Sequence, residues 1–275
     1  MLTPSAYWGW FGRLHLDTSA KQVIDAIRSS QPSRRVLSGS GDRNNVSARF
    51  PSIKMQVILQ AESRTIELAY LRQADHDLNI LEIWDQPPTI DLHYLTRGGR
   101  PQVAAHTPDF FVLWQDRAGW IECKPIEKLI ELAQKQPNRY LQNEAGEWIC
   151  PPGIAYAKPF GLTYTVVTEE HLDSILVGNF AYLDDYYRHL DAAPDIAPET
   201  MAQLHAAVTE RPGLSKTDLA HLEPPIAMDT LHWLIVRGEI YVDLRACPLT
   251  DGDYVHVYQD SDQAQIYELC APMAR

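Results

Sequence analysis

Residues His106–Pro125 read HTPDFFVLWQDRAGWIECKP. Two apolar runs, Asp109–Trp114 and Trp120–Cys123, flank a turn over Gln115–Gly119. A carboxylate opens the first run, and Glu122-Cys123-Lys124 closes the second. Side chains alternate along a strand, so Glu122 and Lys124 share a face and Cys123 takes the other. If the runs pair as an antiparallel hairpin, Asp109 comes within reach of Glu122. Pro108 pins the start of the first run, and both runs are as apolar as buried central strands.

Working outward, Leu81–Trp84 reads as a strand stopped by Pro87 and Pro88. Ile90–Leu95 alternates and ends in Arg97-Gly98-Gly99-Arg100, a strand followed by a hairpin turn. Apolar spacings of three and four from Ile53 to Leu71 predict a helix. Another amphipathic helix is expected over residues 18–30, capped by Thr18 or Ser19, with loop over residues 31–50. Downstream come a helix over Glu127–Gln136, a strand over Leu162–Val167, and helices from Glu169 and from Tyr182. Strands flanked by helices make an α/β protein with a mixed sheet.

The stretch DAAPDIAP (191–198) reads as a linker. It divides the chain into a basic N-terminal arm (1–50), a core domain (51–192) and a small C-terminal domain (193–275). The last carries expected helices over Glu199–Glu210, Ser215–Leu222 and Met228–Arg237, then strands over Ile240–Leu244 and Tyr254–Tyr258. Three short helices and a two-stranded ribbon predict a winged helix.

Composition narrows the class. The chain has 275 residues, 45% apolar, enough for a packed core. No run reaches the roughly 18 apolar residues of a membrane span. The first residues lack a basic start followed by an apolar stretch, so no secretory signal is expected. The four cysteines form no CxxC and suggest neither a disulfide framework nor a zinc site. A cytoplasmic protein fits these features. The net charge of −12 opposes tight nucleic-acid binding. Yet residues 1–60 hold 8 Lys/Arg against 3 Asp/Glu, including Arg28, Arg34, Arg35, Arg43, Arg49 and Lys54. That cluster suits either a solvated extension or a salt-sensitive grip on a polyanion.

Asp109 and Glu122 on one side of a sheet end would repel, raising one pKa. A divalent cation such as Mg²⁺ removes the conflict and clamps phosphate oxygens. Lys124 beside them could orient or deprotonate an attacking water. Glu67, on the preceding helix, could supply a third carboxylate. This arrangement suits metal-dependent phosphodiester hydrolysis, although the hairpin alone also fits a surface ion pair.

"TPDF" (107–110) and "WIECKP" (120–125), preceded by "SRTIELAYL" (63–71) and "IWDQPPTI" (83–90), resemble the TnsA family. "SIKMQVILQAESR" (52–64) and "GLTYTVVTEEHL" (161–172) extend the likeness to roughly residues 50–175. Members are endonuclease subunits of heteromeric cut-and-paste transposases with a restriction-endonuclease-like core. The resemblance implies Glu67, Asp109 and Glu122 as metal ligands and Lys124 as the catalytic lysine, with Mg²⁺ as cofactor and Mn²⁺ as a substitute. It implies cleavage of the 5′ strand at transposon-end DNA. The implied partners are a TnsB-like DDE recombinase, which cuts the other strand, and a TnsC-like AAA+ ATPase. One departure concerns the helix: the family's Glu-Ser-x-x-Glu is one residue longer here, which leaves Glu62 as an alternative to Glu67. Gln86 matches a family position before proline and reads as a site-shaping or turn residue.

His106 reads as a loop histidine or a DNA-facing one. The C-terminal module is acidic, and its third helix offers Asp229, His232 and Arg237, so protein docking is expected of it ahead of DNA reading. Two other readings stay open: a stand-alone restriction or repair nuclease, and a non-catalytic adaptor that recruits a recombinase.

Overall fold

A computed structural model describes residues 1–30, 48–63 and 65–270. The chain divides into two compact units, Met1–Leu172 and Asp173–Arg275. The first begins with α1 (Pro4–Arg13), capped by Thr3, and α2 (Thr18–Ser29), capped by Asp17, one residue earlier than expected. It continues through β1 (Ala48–Ser52), β2 (Val57–Ala61), α3 (Ile66–His76), β3 (Ile80–Asp85), β4 (Ile90–Leu95) and β5 (Pro101–His106). β6 (Phe110–Trp114), β7 (Ala118–Cys123) and α4 (Ile126–Lys135) follow. The two-residue strands β8 (Leu141–Gln142) and β9 (Trp148–Ile149), α5 (Pro151–Ala157) and β10 (Thr163–Val167) complete it.

The apolar runs pair as the alternation requires. β6 and β7 are antiparallel, with Phe110 opposite Ile121 and Leu113 opposite Ala118, and every residue of both is buried. They are the central strands of a four-stranded mixed sheet ordered β10-β7-β6-β3. β10 runs parallel to β7, and β3 antiparallel to β6. One face packs Phe111, Leu113, Trp120 and Tyr164 against Trp10, Ile24 and Leu129. The other packs Phe110, Val112, Ile121 and Cys123 against Leu59, Leu71 and Tyr70. Gly119 allows β10 to approach: a methyl group there would collide with the Thr163 backbone.

Three expectations are corrected. The helix predicted from Ile53 is instead the β1–β2 hairpin, with α3 beginning only at Ile66. The buried Asp75 carboxylate accepts from Ile53 N at 2.7 Å, Lys54 N at 3.3 Å and the Ser52 hydroxyl, which fixes the turn that a local pattern reads as helix. The described part of the 1–50 arm is not a solvated extension. Tyr7, Trp10, Phe11, Ile24 and Ile27 join the core. Arg28 grips the fully buried Glu82 through Nε at 2.8 Å and Nη2 at 2.9 Å. Arg34, Arg35, Arg43 and the rest of the loop expected before β1, together with Arg64, lie outside the described residues.

The third correction is the domain boundary, which falls at Leu172/Asp173, ahead of the proline linker. The second unit holds α6 (Ser174–Tyr182), α7 (Asp184–Arg188), α8 (Pro198–Glu210), β11 (Leu214–Ser215), α9 (Lys216–Ala220), α10 (Met228–Arg237), β12 (His256–Val257) and α11 (Ser261–Cys270). The reason is Asn179 on α6. It donates to Leu244 O at 2.9 Å and Cys247 O at 2.8 Å, and accepts from Leu249 N at 2.8 Å. Leu183 is buried with Leu204, Leu231 and Val257. The three expected helices are present as α8, α9 and α10. The two strands of the ribbon are not: they reduce to one bridge, Tyr241 with Tyr258, while β12 pairs with β11. Among the described residues no helix is long and apolar enough to cross a membrane.

Candidate active site

Four side chains named from the sequence approach one end of the mixed sheet. Asp109 immediately precedes β6, Glu122 and Lys124 lie at the end of β7, and Glu67 is in the first turn of α3. The hairpin places Asp109 directly. Asp109 N donates to Ile121 O at 3.1 Å, and its Oδ2 accepts from Cys123 N at 2.6 Å. Glu122 and Lys124 share a face as the alternation demands, with Lys124 Nζ 3.0 Å from Glu122 Oε1. Cys123 is buried on the opposite face.

Glu67 Oε2 accepts from Glu62 N at 2.7 Å, so the two candidate helix carboxylates are neighbours. Of the two, Glu67 is buried, and its charge is felt by both Asp109 and Lys124. Glu62 Oε1 accepts instead from Gln86 Nε2 at 2.9 Å. Gln86 N donates to Asp109 O at 2.9 Å, and Gln86 has a φ of 42°, a left-handed conformation uncommon for glutamine. Gln86 therefore ties the Glu62 segment to Asp109, which favours the site-shaping reading of this residue.

The surroundings of Glu122 were not expected. It is fully buried, and each oxygen has two partners. Tyr140 OH donates to Oε1 at 2.7 Å, beside Lys124. Tyr164 OH donates to Oε2 at 2.8 Å, with His106 Nε2 3.6 Å away. His106 Nε2 is also 2.8 Å from Tyr164 OH, and Arg139 Nη2 lies 3.2 Å from His106 Nδ1. His106 is thus a strand residue facing Glu122, neither a loop residue nor one turned outward. Sequence reasoning missed Tyr140, Tyr164 and Arg139. "GLTYTVV" gave a signal for Tyr164, since it is a polar-tipped residue on a buried strand. Nothing local marks Tyr140 or Arg139.

Burial and charge sort these groups. Burial pushes the Asp109 carboxyl up to about 8; Lys124 pulls it down, Glu67 and Glu122 push it up, and the Cys123 amide opposes them. Burial also raises Glu67, against the Glu62 amide and with the Glu62 charge. Burial would raise Glu122 too, but Lys124, then His106 and Tyr140, outweigh it and hold the carboxylate below its ordinary value. Burial lowers Lys124, yet Glu122 and Asp109 prevail and keep its ammonium above the usual lysine range. Burial lowers His106 as well, more than Glu122 raises it. The pattern is a charged Glu122–Lys124 pair beside two carboxyls, Asp109 and Glu67, that resist ionisation.

That pattern bears on metal binding. Among the described residues, no group of three or more His, Cys, Asp or Glu side chains is arranged to hold a metal ion. Both Glu122 oxygens are engaged, by Tyr140 and Lys124 at Oε1 and by Tyr164 at Oε2. Asp109 and Glu67 remain. Two oxygen donors that repel each other in a buried site are the type that a hard divalent cation relieves. No protein-family model matches the chain, and no curated protein matches it.

Proposed function

We propose that the chain is a cytosolic, metal-dependent DNA endonuclease with a restriction-endonuclease-like core. In this reading it acts as the transposase subunit that nicks the 5′ strand at transposon ends, in concert with a TnsB-like DDE recombinase and a TnsC-like AAA+ ATPase. One observation carries it: Glu67, Asp109 and the Glu122–Lys124 pair approach the same end of a mixed sheet.

Asp109 and Glu67 would hold Mg²⁺ or Mn²⁺. A cation there supplies charge neutralisation at the phosphate and a more acidic bound water. Lys124 keeps its proton and offers positive charge to the pentavalent phosphorane. Glu122 is recast as a positioning residue: it fixes the Lys124 ammonium and is itself fixed by Tyr140 and Tyr164. The second unit is read as a winged-helix-like protein-docking module. Support comes from the third helix. His232 is buried, Arg237 donates to Pro194 O at 2.6 Å, and Asp229 is exposed but acidic, so this helix offers a phosphate backbone little that attracts it.

One observation favours a rival. The occupied Glu122 oxygens suit a non-catalytic adaptor whose ion pair is purely structural. A strand-specific nicking assay on labelled transposon-end DNA separates these readings. It uses Mg²⁺ or Mn²⁺, with and without the recombinase, and compares wild type with Asp109→Ala and Lys124→Ala. The nuclease-subunit reading expects 5′-strand nicking that needs the recombinase and both residues, with losses of about a hundredfold or more. Nicking without the recombinase identifies a stand-alone nuclease. No nicking, with the recombinase still bound, identifies an adaptor.

A further inference from the structure

The β4–β5 ribbon leads away from the site and ends in charge. Its strands pair from Ile90 opposite His106 to Leu95 opposite Pro101. The base is closed by Thr89 and Thr107, whose hydroxyls lie 2.8 Å apart, two residues before Asp109. One face of the ribbon is anchored. Ile90 and Leu92 are buried, and Tyr94 OH donates to Gln136 at 3.4 Å. Asn138 Nδ2 donates to Leu95 O at 2.9 Å. The other face is exposed, with Asp91, His93, Leu95, Pro101 and Val103 in the open.

At the tip, Thr96–Arg100 forms a tight turn: Gly99 N donates to Thr96 O at 2.9 Å and Thr96 N to Arg100 O at 2.8 Å. Gly99 has a φ of 78°, which a side chain would strain. Arg97 and Arg100 flank the two glycines, and both are exposed. Elsewhere in this unit Lys21, Arg28, Arg117, Lys124, Lys128 and Lys135 each pair with a carboxylate. Among the described residues, Arg97 and Arg100 pair with none, as is also true of Arg13, Arg49, Arg72 and Lys158, but these two stand together on one anchored turn. In a chain of net charge −12, that is two uncompensated cations on a rigid, anchored projection.

We infer that the β4–β5 ribbon is a duplex-DNA grip, with Arg97 and Arg100 contacting backbone phosphates on one side of the cleavage site. This rests on the nuclease reading, since it supplies the substrate surface for that site. A two-stranded ribbon fits a DNA groove, and arginine suits phosphate contact. The six residues of β5 span roughly 20 Å at strand rise, which corresponds to about 6 base pairs from the tip to the ribbon base. Asp91 is the acidic group on the exposed face and lies at the base, away from the tip.

The test is fluorescence-anisotropy binding of a labelled 30-base-pair transposon-end duplex to the full chain, titrated from low salt upward. Arg97→Ala/Arg100→Ala is compared with Lys128→Ala/Lys135→Ala, which removes equal charge from exposed α4. The ribbon variant is expected to weaken binding about tenfold or more and to reduce the slope of log K against log salt by about 2. The control is expected to stay within about twofold of wild type. An unchanged ribbon variant, an equal loss in the control, or no binding by wild type at low salt overturns the inference. Binding needs no cleavage, so the two readings fail separately. Ribbon-dependent binding without nicking under any condition sinks the nuclease alone. Nicking with unchanged binding in the ribbon variant sinks the ribbon alone.

Discussion

Lys124 Nζ lies 3.0 Å from Glu122 Oε1, and the same carboxylate accepts hydroxyl hydrogen bonds from Tyr140 and Tyr164. Buried charge persists only when it is paired and hydrogen-bonded. Lys124 is the main counterweight to burial at Glu122, and the two tyrosines satisfy the lone pairs that the ion pair leaves. Tyr164→Phe and Tyr140→Phe should each cost about 1.5–3 kcal/mol, a hydrogen bond to a charged group, and lower Tm by several degrees. The double variant should lose less than the sum, because both bonds end on one carboxylate. Thermal denaturation of the three variants checks this; two unchanged melting temperatures would refute it.

Asp109 gives a prediction with a definite sign. Its folded carboxyl is raised to about 8 from an ordinary value of 3.8, chiefly by burial. The folded state therefore binds the proton more tightly than the unfolded one. Its stabilising contribution is complete below about pH 4 and is lost as pH rises through about 8. Asp109→Asn removes this dependence. In metal-free buffer, the Tm of the variant relative to wild type should rise from pH 5 to pH 8.5, by several degrees. A constant difference across that range would show that Asp109 ionises normally.

The N-terminal helices are tied to the sheet through Arg28 and Glu82. Glu82 also accepts from Leu2 N at 2.7 Å and Trp84 Nε1 at 3.0 Å. Arg28→Ala leaves that carboxylate buried without its cation and should cost about 3–5 kcal/mol. Adding Glu82→Gln should recover part of the loss. Urea denaturation of the single and double variants, with limited proteolysis within residues 1–30, reads both effects.

Gly119 tests the sheet itself. Alanine there would press its methyl against the Thr163 backbone, which cannot yield without breaking the β7–β10 pairing. Gly119→Ala should destabilise by about 3 kcal/mol or more. Gly12→Ala, where nothing lies within 4 Å of the added carbon, should be neutral or slightly stabilising. Similar melting temperatures for the two variants would contradict the observed packing.

What the sequence alone determined is local. Alternation over residues 109–124 put Glu122 and Lys124 on one face and Cys123 on the other, because a strand's period of two is a property of the backbone. The turn at Gln115–Gly119 brought Asp109 beside the end of β7 for the same reason. Helices α4, α8 and α10 were legible from apolar spacing, and their bounds shift by only a residue or two. What only the tertiary structure decided depends on groups distant in the chain. Asp75 captures Ile53 and Lys54 and turns an expected helix into a hairpin. Asn179 binds Leu244, Cys247 and Leu249 and moves the boundary ahead of the proline linker. Tyr140 and Tyr164 donate to Glu122, partners that strand alternation does not reveal. Each is a buried polar group whose partner is set by burial across the fold, and no local pattern encodes which distant donor will satisfy it.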